Sequence, residues 1–113
     1  MDTSTTLADL QALVERFVAE RDWAKFHSPK NLSTAIAVEA AELMELFTWQ
    51  TETESVESVA DAQRQPASDE LADILIFAMA FANQNKIDLA TAIRDKLARN
   101  REKYPVETFK GRV

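Results

Sequence analysis

The sequence has no cysteine and a single glycine, Gly111. Without cysteine there are no disulfides, thiolate nucleophiles or thiolate metal sites, which is compatible with a reducing intracellular setting. Without internal glycine there is no glycine-rich phosphate loop, so P-loop and Rossmann chemistry are excluded, and most tight β-hairpin turns go with them. No N-terminal stretch joins a basic flank to an apolar core as a secretion signal does, and no apolar run approaches the ~20 residues of a membrane span. The expectation is a cytoplasmic protein without a leader or a membrane anchor. Basic residues are outnumbered too: the formal charge of −6 argues against a broad nucleic-acid surface, which needs cations to displace counterions.

What is present is helical patterning within 113 residues, enough for one domain and a modest core. Apolar residues recur at helical rather than alternating spacing. The first helix is expected after Thr6, which pairs with Asp9 as a capping box, and should run to about Trp23 with Leu7, Leu10, Val14 and Phe17 on one stripe. Ser28 is an N-cap candidate and Pro29 suits the first helical position, opening a second helix to about Trp49. On it Leu32, Ile36, Ala40, Leu43 and Phe47 form an apolar stripe, and Ala35, Glu39, Glu42, Leu46 and Trp49 a neighbouring one. Residues 50–67 are polar and acidic, and read as a loop or weakly packed helical linker. Ser68 can cap a third helix. From Leu71 to Ala82 only Asp73 is polar, which predicts burial on most faces. Asn85 ends that helix, Asp88 caps a fourth carrying Leu89, Ile93 and Leu97, and Pro105 stops it. The fold class is therefore all-α, a four-helix bundle in one domain spanning 1–113.

The acids sit in unexpected company. Glu39 and Glu42 on the second helix, and Glu70 and Asp73 on the third, are each spaced i, i+3 among apolar neighbours, so each pair faces one patch. A lone E-x-x-E most often marks a solvated face. Two such pairs on antiparallel helices would bring four carboxylates together, where desolvation and repulsion raise their pKa values unless a cation compensates. With only oxygen ligands on offer, Mg²⁺ is favoured over Zn²⁺, with Mn²⁺ as a substitute.

These motifs, E-A-A-E at Glu39 to Glu42 and E-L-A-D at Glu70 to Asp73, resemble the acidic motifs of the all-α MazG-like nucleotide pyrophosphohydrolases. R-D-W-A-K-F-H-S-P-K-N-L at Arg21 to Leu32, E-L-F-T-W at Glu45 to Trp49 and N-R-E-K-Y-P-V at Asn100 to Val106 are similar to the dCTP pyrophosphatase branch, in the same order along nearly the whole chain. The resemblance implies hydrolysis of a deoxynucleoside triphosphate between its α and β phosphates, in nucleotide-pool cleaning or control. It implies Glu39, Glu42, Glu70 and Asp73 as Mg²⁺ ligands, with Glu42 a candidate for orienting or deprotonating the attacking water.

The same resemblance assigns the nucleoside pocket to Trp23, His27, Trp49 and Phe77. Base stacking on indole faces is worth on the order of 1–3 kcal/mol, although ordinary anchoring of the two tryptophans is the competing explanation. Phosphate contacts fall to Lys96 and Asn100, which also read as part of a solvated basic face; Lys30, Arg99, Arg101 and Lys103 lie nearby without such support. Two positions depart from the dCTP-specific pattern, where histidine is common at the position of Val14 and tyrosine at that of Phe77. Both changes remove a hydrogen-bonding group and leave the base preference open. The family's habit of pairing chains, together with the apolar third helix, implies a homo-oligomer, a tetramer built as a dimer of dimers. The competing class is a non-catalytic helical module that binds nucleotide or protein.

Overall fold

A computed structural model describes residues 1–112. Its elements, in chain order, are α1 (Leu7–Glu20), a 3₁₀ turn (Ala24–Phe26), α2 (Pro29–Glu45), α3 (Glu52–Ala60), α4 (Arg64–Gln84), α5 (Leu89–Lys103) and α6 (Val106–Phe109). No strand occurs among the described residues. The all-α class holds, with six α-helices among the described residues rather than four.

Local chemistry sets the starts. Thr6 accepts from the Asp9 amide at 3.0 Å while the Asp9 carboxylate accepts from the Thr6 amide at 2.9 Å, a reciprocal box. Ser28 accepts from the Asn31 amide ahead of Pro29, and Asp88 accepts from the Ala90 amide to open α5. The segment expected as a loop or weakly packed helical linker takes the helical form: it contains α3, which has no buried residue and whose Thr51 and Glu54 form a second capping box. Acids in its first turn favour the helix through its dipole. The next helix starts at Arg64, four residues before Ser68, because Pro66 sits harmlessly in the first turn, where no intrahelical donor is needed.

Two helix ends carry no glycine where one is usual. α1 stops at Glu20 instead of near Trp23: Asp22 turns left-handed at φ 53°, the Trp23 amide donates to the Val18 carbonyl and the Asp22 amide to that of Ala19. α4 ends the same way, with Lys86 at φ 55° and the Ile87 amide donating to the Ala82 carbonyl at 2.8 Å. Both are Schellman closures made by side-chain-bearing residues. α2 likewise stops at Glu45, and turns carry the chain past Trp49.

The main contact is α2 against α4, followed by α1 against α4; α5 packs chiefly on α1. Both pairs with α4 are antiparallel, since Glu39 meets Glu70 and Asp73 while Gln63 donates to the Leu46 carbonyl, and Gln11 bonds Asn83 while Val18 shares a cleft with Ala80. The core is thin: Val18, Leu32, Ala67, Met79, Ala80 and Ala82 are the buried hydrophobics, and Leu32 is the one large side chain among them that is fully enclosed. The burial expected around α4 is therefore incomplete, because Leu71 and Leu75 remain about half exposed at 51% and 50%. On α1 the stripe is rotated toward Val18, leaving Leu10 and Phe17 exposed, and no residue of α5 is buried.

Lys86 holds a conformation that costs an L-residue about 1 kcal/mol. Lys86→Gly is expected to raise stability by about 0.5–1 kcal/mol, measured by urea unfolding. An unchanged or lower midpoint would show that the left-handed turn carries no strain.

Candidate metal centre

Glu39 projects from the middle of α2, and Glu70 and Asp73 from the facing stretch of α4. One carboxylate oxygen from each lies within 4.8 Å of the others. Glu39 and Glu70 are half-buried and Asp73 is exposed, so the group forms a mouth rather than a sealed cavity. Glu39 Oε2 and Glu70 Oε2 are shut off from solvent and accept no hydrogen bond from any described residue. Buried carboxylate oxygens are rarely left so.

The electrostatics show the same strain. The Glu39 carboxyl is pushed up to about 7, chiefly by the Glu70 carboxyl that faces it, with partial burial and the charges of Glu42 and Asp73 adding to the rise. The Glu70 carboxyl, which Glu39 pulls the other way, also stands above the usual range because burial and the nearby Glu42 and Asp73 outweigh that pull. The facing pair thus resists carrying two full negative charges. Glu42, one turn on from Glu39 and exposed, falls outside the close group of three but near enough to act on both.

An oxygen-only donor set with two orphaned buried oxygens fits a hard divalent cation better than it fits solvent or a salt bridge. No lysine or arginine pairs with these acids: the ion pairs among the described residues are Arg21 with Glu20 and Lys25 with Asp22. The cation that would relieve the repulsion must come from outside the chain.

The remaining candidates are distributed unevenly. Phe77 lies one turn beyond Asp73 on the same face of α4 and is half-buried. His27 lines a cleft with Ala80 and Gln84 at the far end of α4. Trp23, 44% exposed, is braced edge-on against Phe17 at 5.7 Å, with the Arg21 guanidinium 3.7 Å over the Phe17 ring. Trp49 is not brought to this group. It follows the C-terminal end of α2, the opposite end from His27, and is 94% exposed. Lys96 is exposed and Asn100 half-buried on α5, whose packing is chiefly against α1 and not the acid-bearing helices.

Comparison with known proteins agrees with this geometry. The MazG-like family profile matches residues 34–112, the span that holds both acidic pairs. The chain is 40% identical over 107 residues to mouse (Mus musculus) dCTP pyrophosphatase 1, covering 94% of this chain and 63% of that protein, and 41% identical over 101 residues to the human (Homo sapiens) protein of the same name, covering 88% and 59%. It thus spans less than two thirds of the length of these relatives. Among solved structures, a pyrophosphatase from Archaeoglobus fulgidus superposes with a TM-score of 0.83 at 30% identity, covering 93% of this chain and 97% of that one.

Because folded Glu39 keeps its proton up to about 7 while an unperturbed glutamate releases it near 4.5, the folded state binds more protons between those values. The stability of the metal-free protein therefore falls as pH rises through that window. Thermal unfolding in EDTA is expected to show Tm declining between about pH 5 and pH 8, and millimolar Mg²⁺ should remove the decline by stabilising most at the alkaline end. A Tm in EDTA that is flat or rising over this range would refute the raised Glu39 carboxyl.

Proposed function

The chain belongs to the MazG-like family, and on that premise we propose that it is a Mg²⁺-dependent nucleoside triphosphate pyrophosphohydrolase that converts a deoxynucleoside triphosphate, dCTP foremost, to the monophosphate and pyrophosphate. The whole of 1–113 acts as its catalytic domain. The observation that carries this reading is the group of Glu39, Glu70 and Asp73 with its two unpartnered buried oxygens: an arrangement that is electrostatically unfavourable empty and suited to a cation that also binds phosphate.

In this reading Glu39, Glu70 and Asp73 hold the cation, with Mn²⁺ as a substitute, and Glu42 is the fourth ligand. Bound Mg²⁺ supplies neutralisation of the triphosphate, polarisation of the α-phosphorus and a lowered pKa for water. Glu42, the most accessible of the three glutamates, is placed to orient or deprotonate the attacking water. Phe77 lies where α4 leads away from the phosphate end, and Trp23 supplies an aromatic face. Lys96 and Asn100 contribute to holding the β and γ phosphates. The products would serve the cleaning or control of a cytoplasmic nucleotide pool.

Trp49 follows the end of α2 away from His27 and is almost fully exposed, and Lys96 and Asn100 sit on α5, which packs chiefly on α1, so the reading includes a homo-oligomer in which a neighbour completes the pocket. Two measures of the chain support this. Its accessible surface of 8953 Å² compares with about 6,200 Å² for a monomeric protein of this mass, and its radius of gyration of 17.0 Å with about 13 Å for a compact domain of this length. The excess of about 2,700 Å² per chain is more than the ~800 Å² that one standard interface takes from each partner. Two interfaces of that size per chain, as in a dimer of dimers, would take in about 1,600 Å², the greater part of it.

Incubation with each deoxy- and ribonucleoside triphosphate in Mg²⁺ is expected to yield monophosphate and pyrophosphate, abolished by EDTA. Glu39→Gln and Glu42→Gln should each lower kcat/KM by about 100-fold or more. No turnover of any nucleotide by the wild-type protein would favour a non-catalytic module instead.

Sedimentation velocity at micromolar concentration is expected to show a species of about four chains. A monomer would defeat the composite pocket.

A further inference from the structure

α5 carries no buried residue, and every position from Thr91 to Arg99 is exposed, Ile93 and Leu97 among them. Leu89 and Ala90 in its first turn, and Asn100 near its end, are half-buried. Burial of apolar side chains, which fixes α1 and α2 on α4, therefore does little to fix α5. A helix of 15 residues is about 22 Å long, so a tilt at its first turn is magnified at Lys96 and Asn100.

Polar bonds take over at that turn. Gln11, half-buried on α1, donates from Nε2 to Asn83 Oδ1 and to the Ile87 carbonyl, both at 3.1 Å, and its Oε1 accepts from the Leu89 amide at 3.2 Å. The Asn83 side-chain amide donates in return to the Gln11 carbonyl at 2.8 Å. Both hydrogens of the Gln11 amide and its oxygen are thus in use. One side chain grips the last turn of α4, the left-handed connection at Lys86 and the opening of α5. Among the described residues, the only other side-chain hydrogen bond between positions distant in sequence runs from Gln63 to the Leu46 carbonyl, at 3.5 Å. The Leu89 amide is one of the first-turn donors that a helix leaves without an internal partner, so Gln11 completes the start of α5 beside Asp88, which accepts from the Ala90 amide.

We propose that Gln11 is a positioning residue, a latch that docks α5 on α1 and α4 and thereby sets the places of Lys96 and Asn100. The part that concerns Lys96 and Asn100 rests on the nucleotide reading, in which they hold the β and γ phosphates; the docking of α5 does not. Without the latch α5 loses its footing, and a detached helix of this length is marginal in water, so it swings from the Lys86 turn and frays. The phosphate tail of the substrate is then gripped less well. Glu39, Glu70 and Asp73 keep their arrangement, because the separate contact of α2 with α4 holds them. Gln11 therefore acts on binding and not on the chemical step. Nothing in local spacing ties position 11 to positions 83, 87 and 89, which is why sequence reasoning missed it.

Gln11→Met keeps the length of the side chain and removes its hydrogen bonds. Hydrogen exchange of the full chain, followed by mass spectrometry, is expected to show the amides of 89–103 exchanging about tenfold faster, with those of α2 and α4 unchanged. KM for dCTP should rise about fivefold while kcat stays within about twofold. Asn83→Ala, which leaves the Gln11 bonds to Ile87 and Leu89 in place, should show the same pattern more weakly, and it decides the matter if Gln11→Met does not fold. A side chain that merely packs would leave α5 exchange unchanged in Gln11→Met, and one that merely stabilises the whole fold would quicken exchange in every helix; either result overturns the latch. Faster exchange confined to α5 with KM unchanged overturns the positioning role. Absence of turnover of any triphosphate by the wild-type protein would defeat the enzyme reading and with it the positioning of Lys96 and Asn100, whereas faster exchange confined to α5 would still uphold the latch.

Discussion

The antiparallel contact of α2 with α4 forces Glu39 against Glu70, and this juxtaposition organises the rest of the molecule. A protein selected only for stability would replace one of these acids with an apolar side chain of similar size, since facing like charges repel and lose hydration. The chain keeps them, and both carboxyls stand above the usual range. A divalent cation bound there would turn the repulsion into coordination and link metal affinity to folding stability through the same two residues.

The seam that makes this possible is narrow. Leu32 is the one large side chain fully enclosed near it, and much of the remaining core is alanine and valine. Such small residues bury little area. The apolar surface that a thicker core would have taken in stays outside on Leu71, Leu75, Ile76 and their neighbours. The site's geometry and the exposed apolar surface thus share one cause. An exposed Trp49 belongs to the same logic, because an indole that covers nothing in its own chain is suited to cover something in another.

Glu70, Asp73, Phe77 and Ala80 form one stripe on α4. Acids at its beginning, an aromatic residue in its middle and alanine at its end follow one another at helical intervals. The α1–α2 connection closes the far end, held in place by the Schellman turn at Asp22 and by the 3₁₀ turn that follows.

Some of this was legible from the residues alone. Caps at Thr6, Ser28 and Asp88 act within three residues, so spacing suffices to find them. The i, i+3 acids declare a shared face for the same reason. The cap at Thr51 was equally local, but the acidic composition of 50–67 obscured it. The ends of α1 and α4 were harder, because Asp22 and Lys86 stand where glycine would have signalled a left-handed turn. What lies between elements was beyond the sequence. Whether Glu42 joins the close group, whether Trp49 reaches the pocket, and which side of α1 faces α4 all depend on the register and rotation of packed helices, to which residues far apart in the chain contribute. The sequence by itself determined helical class, most helix starts and which acids share a face, because those follow from interactions within one turn. Only the tertiary structure decided that Glu39 meets Glu70, that Trp49 is left outside, and that Gln11, Asn83 and Leu89 converge, because each requires helices to be placed against one another.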